Sequence, residues 1–201
     1  MNKQGSTGGI ILGAVVLVLI VGVMFFIGTY NSLVSTDEST AKSWGNVQTA
    51  YQRRADLIPN LIETVKGAKN FEQETMTKIA EMRSQAGQIQ IDVSNAQDIA
   101  SLQTASSQMT GVLSRLMAVV EAYPDLKSNT NFLALQDELA GTENRIKYER
   151  DLYNIAVQKY RTQVRVFPTN ILAGMFGFNV DKWKTFEADV GAQKVPSVNF
   201  S

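Results

Sequence analysis

The sequence predicts an all-α protein, in which a single N-terminal transmembrane helix is followed by an elongated antiparallel bundle of about four helices and an extended C-terminal tail. Residues 10 to 27 contain no charged side chain. Beyond them, apolar residues recur every three or four positions over long stretches, which is the period of one helix face. The whole chain of 201 residues has only four prolines, so few helices are forced to end early.

The apolar run from Ile10 to Ile27 is long enough to cross a lipid bilayer. Extended to Gly8 and Gly28, it would measure about 31 Å as a helix, against a hydrocarbon core of about 30 Å. Its Leu, Ile, Val and Phe residues together favour insertion by about 4 to 8 kcal/mol. A cleaved signal peptide is the rival interpretation, but its apolar region spans only about 7 to 15 residues and precedes a small-residue cleavage site. We therefore expect an uncleaved transmembrane anchor over residues 10–28.

A pair of glycines lies where the span begins, after a short polar tail of residues 1–9 that we expect to be flexible. Gly9 and Gly13 are four residues apart, a spacing that lets two membrane helices approach closely. Glycine is also common in membrane helices for other reasons. The pair is therefore either a candidate site of self-association or an ordinary feature of a membrane helix.

The residues after the span are predicted to form a helical bundle domain, 29–178, and a C-terminal tail, 179–201. The first helix of the bundle domain is predicted to continue from the span to Lys66, since no strong helix breaker precedes Pro59. Pro59 would either bend this helix or begin a new one near Leu57.

Three further helices are predicted, from Phe71 to Ala86, from Ile99 to Tyr123, and from Asn129 or Thr130 to Phe167. Each carries apolar side chains in steps of three and four along one face. A cap at Ser94-Asn95 would precede the second, and Phe167 would close the inner face of the third. The third would be about 55 Å long, so it can pair with the first helix only in an elongated bundle.

The end of the bundle domain is apolar and interrupted by glycine. Met175, Phe176 and Phe178 form an apolar patch there, at which we expect a neighbouring subunit to bind, because exposed apolar patches mark interaction sites. The tail beyond, including the stretch from Val195 to Phe200, is expected to wrap around or dock onto the bundle.

Composition narrows the possible functions. Histidine and cysteine are both absent, which removes imidazole acid–base catalysis, thiolate chemistry and most zinc, copper or haem sites. The 19 basic and 19 acidic residues form no long run of one sign, so no nucleic-acid-binding surface is visible. We therefore expect no cofactor, no metal site and no nucleic-acid partner.

Two polar clusters interrupt the apolar faces of the first and last helices. The members are Arg53, Arg54, Asp56 and Asn60 on the first helix, and Glu143, Asn144, Arg145 and Glu149 on the last. The simpler interpretation is a network of ion pairs and hydrogen bonds that sets the register between the two helices. The functional alternative is a carboxylate pair for acid–base catalysis, which would require a cleft and a bound substrate.

Several longer motifs resemble those of the LemA family of bacterial membrane proteins. They are Tyr30-Asn31-x-Leu33, Trp44, Gln52 to Leu61, Tyr123 to Lys127, Asn131-Phe132, Gly141 to Ile146, Tyr153-Asn154 and Phe167-Pro168. Thr185 departs from the aromatic pair that is common before the position of Phe186. The resemblance implies a short N-terminal segment, one membrane span and an antiparallel helical bundle. It implies no established enzymatic activity and supplies no catalytic residue to carry over.

These observations favour a membrane-anchored helical scaffold that self-associates into a homo-oligomer and catalyses no reaction. The alternative is a sensor or adaptor that couples its bundle to an unidentified membrane-protein partner, and an enzyme ranks third. The expected location is the inner membrane of a bacterial cell. Lys3 and the amino terminus precede the span, and Asp37, Glu38 and Lys42 follow it, so we expect the bundle on the extracytoplasmic side.

Overall fold

The computed structural model describes residues 4–67, 71–91 and 98–187. Within these residues the regular secondary structure is entirely helical, which confirms the predicted fold class. The elements are α1 (Gln4–Lys66), α2 (Gln73–Gly87), α3 (Ile99–Ala122), α4 (Pro124–Lys127), α5 (Thr130–Arg165), α6 (Thr169–Met175) and a 3-10 turn (Val180–Lys182). The predicted cap at Ser94-Asn95 and the stretch from Val195 to Phe200 lie outside the described residues.

The helix α1 is uninterrupted from Gln4 to Lys66, so the predicted continuity between the span and the first bundle helix is confirmed. One local prediction is wrong, and one of two alternatives for Pro59 is excluded. Residues 4–9 are helical rather than a flexible tail, because each residue added to an existing helix gains a backbone hydrogen bond. Pro59 begins no new helix, because the buried side chains of Ile58, Leu61 and Ile62 offset the roughly 3 kcal/mol that a proline costs inside a helix.

The structure divides into two compact units, each of which draws on both long helices. Unit 1 comprises the chain up to Ala41 together with Ala156–Trp183, and unit 2 comprises Lys42–Ile155 together with the chain from Lys184 onward.

In unit 1, the part of α1 that follows the span packs antiparallel to the end of α5. Thr36 donates a hydrogen bond to Gln163, whereas Thr40, one turn further along α1, donates to the backbone oxygen of Ala156 at 3.4 Å. The core between them and α6 consists of Leu33, Val157, Tyr160, Val164, Ala173 and Trp183. Phe167 does not belong to this core: it is 79% exposed, because α5 ends at Arg165 and the helical period no longer applies beyond it.

In unit 2, α1 again runs antiparallel to α5, and α2 packs antiparallel to α3. The hydroxyls of Thr75, near the start of α2, and Tyr123, just after α3, lie 3.2 Å apart. The core includes Trp44, Val47, Tyr51, Ile58, Leu61, Ile62, Ile79, Met82, Leu102, Met109, Leu116, Phe132, Ile146 and Tyr153. Most of them lie three, four or seven residues apart along their helix, which is the spacing of one helix face.

The caps of two helices explain where they begin. Asp98 accepts a hydrogen bond from the backbone nitrogen of Ser101 at 3.0 Å and so caps α3. Asn129 accepts from the backbone nitrogens of Asn131 and Phe132, at 3.0 and 3.2 Å, so Asn129 is the one of the two predicted residues, Asn129 and Thr130, that caps α5.

Candidate functional site

Arg54 is the most buried charge of the predicted polar clusters. Its side chain is only 6% exposed and forms an ion pair with Glu143 of α5, which is 45% exposed. The guanidinium also donates hydrogen bonds to the hydroxyls of Ser106 and Thr110 on α3, both at 3.1 Å. One buried cation of unit 2 therefore joins three helices, and the two hydroxyl partners on α3 were not predicted.

Arg53 forms the second contact between the clusters, but in a different environment. Its guanidinium lies 2.7 Å from a carboxylate oxygen of Glu138, and both side chains are largely solvated, at 67% and 42% exposure. Asp56 instead accepts a hydrogen bond from Gln52 of its own helix at 2.8 Å. Asn60 is exposed on α1 and contributes its backbone oxygen to Thr64. Of the four predicted residues on α1, Arg53 and Arg54 thus form ion pairs with α5.

On α5 itself, Glu149 is buried and accepts from Arg145, one turn earlier, at 2.7 Å. Asn144 lies exposed on the same helix. The buried hydroxyl of Tyr51 faces this region and interacts with Arg150. Burial raises the pKa of Tyr51, against the lowering effect of the positive charges of Arg150 and Arg54. Burial therefore keeps the phenol of Tyr51 neutral, although two arginines lie near it.

This arrangement resembles a structural network more than an acid–base site. Glu143 and Glu149 are each held by a guanidinium, whereas a catalytic acid or base needs access to a substrate. A groove of about 380 Å³ between α2 and α3 has a mixed lining that includes Met82, Tyr123 and a single carboxylate, Glu81. Among the described residues, no group of three or more Asp or Glu side chains is arranged to hold a metal ion.

Sequence reasoning missed the polar side chains that bind the chain after α6. In unit 2, Asn154 donates to the backbone oxygen of Phe186 at 3.1 Å and accepts from its backbone nitrogen at 2.9 Å. Tyr153 donates to the backbone oxygen of Lys184 at 2.8 Å. Phe186 is buried against the rings of Trp44 and Tyr153. The Tyr153-Asn154 motif is the sequence signal for these contacts with the chain after α6.

In unit 1, Asp37 of α1 binds the same C-terminal segment. One carboxylate oxygen accepts from the indole of Trp183 at 2.8 Å, and the other from the ammonium group of Lys182 at 2.6 Å. Tyr160 donates to the backbone oxygen of Asn179 at 3.1 Å. Burial raises the pKa of Tyr160 to about 12, and the negative charge of Asp37 adds to this effect.

The residues predicted for self-association lie in two places in unit 1. Gly9 and Gly13 are exposed on α1, and a methyl group added at either one would meet no other atom within 4 Å. Phe176 and Phe178 contact the ring of Tyr30, with centroid distances of 4.9 and 6.2 Å, whereas Met175 is exposed. The glycine face is therefore open, while the two phenylalanines already have contacts within the chain.

Comparison with known proteins adds a family relationship. A model of the LemA family matches residues 43–200. Protein LemA of Metamycoplasma hominis is 27% identical over 158 residues, covering 78% of this chain and 69% of the relative. Magnetosome protein MamQ 2 of Paramagnetospirillum magneticum is 26% identical over 191 residues, covering 82% of this chain and 69% of the relative. Magnetosome protein MamQ of Magnetospirillum gryphiswaldense is 23% identical over 192 residues, with coverages of 84% and 69%.

Proposed function

Because this chain belongs to the LemA family and has one helix long and apolar enough to span a membrane, we propose that it is a single-pass membrane-anchored scaffold that self-associates without catalysing a reaction. The observation that carries this proposal is the start of α1. The large apolar side chains from Ile10 to Ile27 are all exposed, whereas the same helix continues into well-packed positions from Leu33 onward. Such a fully apolar exposed run requires a lipid environment.

Self-association is supported by the open glycine face at Gly9 and Gly13. Among the described residues nothing packs on this face, and small residues at this spacing allow a second membrane helix to approach closely. The sequence also predicts a subunit contact at Met175, Phe176 and Phe178. Anchoring in one plane raises the effective concentration of every such surface, so weak lateral contacts become sufficient for clusters.

The absence of catalysis is supported by how the charged groups are used. The carboxylates of the central network are each held by an arginine, and the names of the relatives describe no reaction. We place the anchor in the bacterial inner membrane with the bundle on the extracytoplasmic side, following the charges that flank the span. Digestion of the bundle by protease in spheroplasts, with protection in inside-out vesicles, supports this orientation; the reverse pattern contradicts it.

The self-association proposal is tested by sedimentation of the full chain in mild detergent over a range of concentrations. We expect species larger than monomers, and a shift toward monomers in Gly13→Leu, whose added side chain separates the two helices. Gly22→Leu is the matched control, since Gly22 lies in the same span, has equally open surroundings and is outside the glycine pair. Monomers alone at the highest concentration would refute self-association.

Cross-linking in cells separates the scaffold from the adaptor. A ladder of adducts between copies of the chain supports the scaffold. One dominant adduct with a different membrane protein would instead establish the adaptor function.

A further inference from the structure

The residues around α6 form an exposed apolar surface that the core does not use. We define the α6 patch as Val166, Phe167, Ile171, Met175 and Phe176, which are between 44% and 79% exposed. Ile171 and Met175 are four residues apart and therefore lie on the same face of α6. The surrounding stretch, residues 166–180, contains no charged side chain. An apolar surface of this kind is unusual in contact with water and indicates a binding partner.

The ring contacts of Phe176 place this surface beside the end of the membrane span. Its ring centroid lies 5.5 Å from that of Phe26 and 4.9 Å from that of Tyr30. Phe26 belongs to the apolar run and, at 37%, is the least exposed of its large side chains. At about 1.5 Å per residue, Phe26 would lie in the last few ångströms of the hydrocarbon core, and Tyr30 would lie in the first few ångströms of the headgroup layer.

The pairing of α1 with α5 also brings the start of the α6 patch close to the end of the span. Gln163 near the end of α5 exchanges hydrogen bonds with Ser32 and Thr36 of α1. Because the two helices are antiparallel, each residue further along α5 corresponds to one nearer the span. Because α5 ends at Arg165, two residues beyond Gln163, the chain enters the α6 patch close to the level of Ser32.

We propose that the α6 patch inserts into the boundary between headgroups and acyl chains of the same bilayer that the span crosses. This inference rests on the proposed membrane span. The occupant is lipid because the patch is continuous, through Phe176 and Phe26, with a surface that already requires lipid. Arg165 is exposed at the end of α5, directly before the patch, and a long basic side chain at this position suits the phosphate layer that would border the inserted patch. The chain thus contacts the bilayer with a second element in addition to the span.

Site-directed spin labelling tests this placement directly, since the chain contains no cysteine and each label reports one chosen position. The full chain is reconstituted into vesicles of phosphatidylethanolamine and phosphatidylglycerol, carrying Ile171→Cys or Met175→Cys. Leu19→Cys provides the reference inside the span. Lys159→Cys provides the aqueous reference, because it is an exposed position of α5 in the same unit. Collision rates with oxygen and with a water-soluble nickel chelate measure the depth of each label.

We expect labels at positions 171 and 175 to have an oxygen-to-nickel collision ratio several-fold above that at 159 and below that at 19. Ratios equal to that at 159, with a lipid-like ratio at 19, would refute the α6 insertion and leave the span intact. An aqueous ratio at 19 would instead refute the span itself. Labels shielded from both reagents, with spin–spin broadening that disappears on dilution with unlabelled chain, would show that a second copy covers the patch and overturn the assignment to lipid.

Discussion

Replacing Glu143 with glutamine tests how much the ion pair between Glu143 and the buried Arg54 contributes to stability. The substitution keeps the size of the side chain but removes the charge that offsets a guanidinium only 6% exposed. Hydrogen bonds to charged groups contribute about 1.5–3 kcal/mol, and roughly half of this is lost when the acceptor becomes neutral. Because Glu143 is itself 45% exposed, water recovers part of the loss. We therefore expect a destabilisation of about 0.5–1.5 kcal/mol, or a fall in Tm of about 1–6 °C.

Glu138→Gln is the matched control, since Glu138 is on the same helix and pairs with the neighbouring Arg53, but both of these side chains are largely solvated. Exposed ion pairs contribute at most about 1 kcal/mol and weaken with salt, so this variant should lose less than about 0.5 kcal/mol. Urea unfolding of the full chain in detergent, followed by the fluorescence of the buried Trp44 and Trp183, measures both variants. Equal losses in the two variants, or a Glu143→Gln loss that disappears at high salt, would refute the reasoning.

Three other substitutions give independent tests of the packing. Ile146→Asp should destabilise by several kcal/mol, because it buries an unpaired charge in the core; unchanged thermal melting would contradict the bundle register. Asn154→Ala should cost about 1–2 kcal/mol in urea unfolding by removing both hydrogen bonds to Phe186, and an unaltered midpoint would mean that these contacts contribute nothing. Tyr160 has a pKa raised from 10.0 to about 12, so the folded state holds its proton more tightly than the unfolded state. The contribution of this raised pKa to the free energy of unfolding is therefore complete below pH 10 and is lost as the pH rises toward 12. When unfolding is measured as a function of pH, the free energy of unfolding of Tyr160→Phe should fall less over this range than that of the unsubstituted protein. Parallel curves for the two proteins would exclude the effect.

Much of the helical architecture could be predicted from the sequence, because a helix with one buried face has apolar residues every three or four positions. The apolar steps of α1 that include Tyr51, Ile58 and Ile62 coincide with buried positions. Asn129 was recognisable as a cap because its side chain satisfies backbone donors only a few residues away. Phe167 was misassigned because periodicity does not show where a helix stops.

The contacts that join distant segments could not be predicted in the same way. Asp37 and Lys182 are separated by 145 residues, and only the folded path of the chain brings them together. Ser106 and Thr110 are the partners of Arg54 because of how α3 is rotated about its own axis. The presence of hydroxyl residues on a polar face of α3 does not determine this rotation. The exposed surface at α6 likewise needed the ring contact between Phe176 and Phe26 to be located.

Counting subunits in a bilayer tests the central proposal most directly. The full chain, labelled with one fluorophore per copy at a cysteine introduced in place of Lys159, is reconstituted at low density into supported membranes, and photobleaching steps are counted for each diffusing spot. A membrane-anchored, self-associating scaffold predicts spots that bleach in several steps, with fewer steps for Gly13→Leu than for Gly22→Leu. Single-step bleaching at every density that still resolves individual spots would contradict self-association.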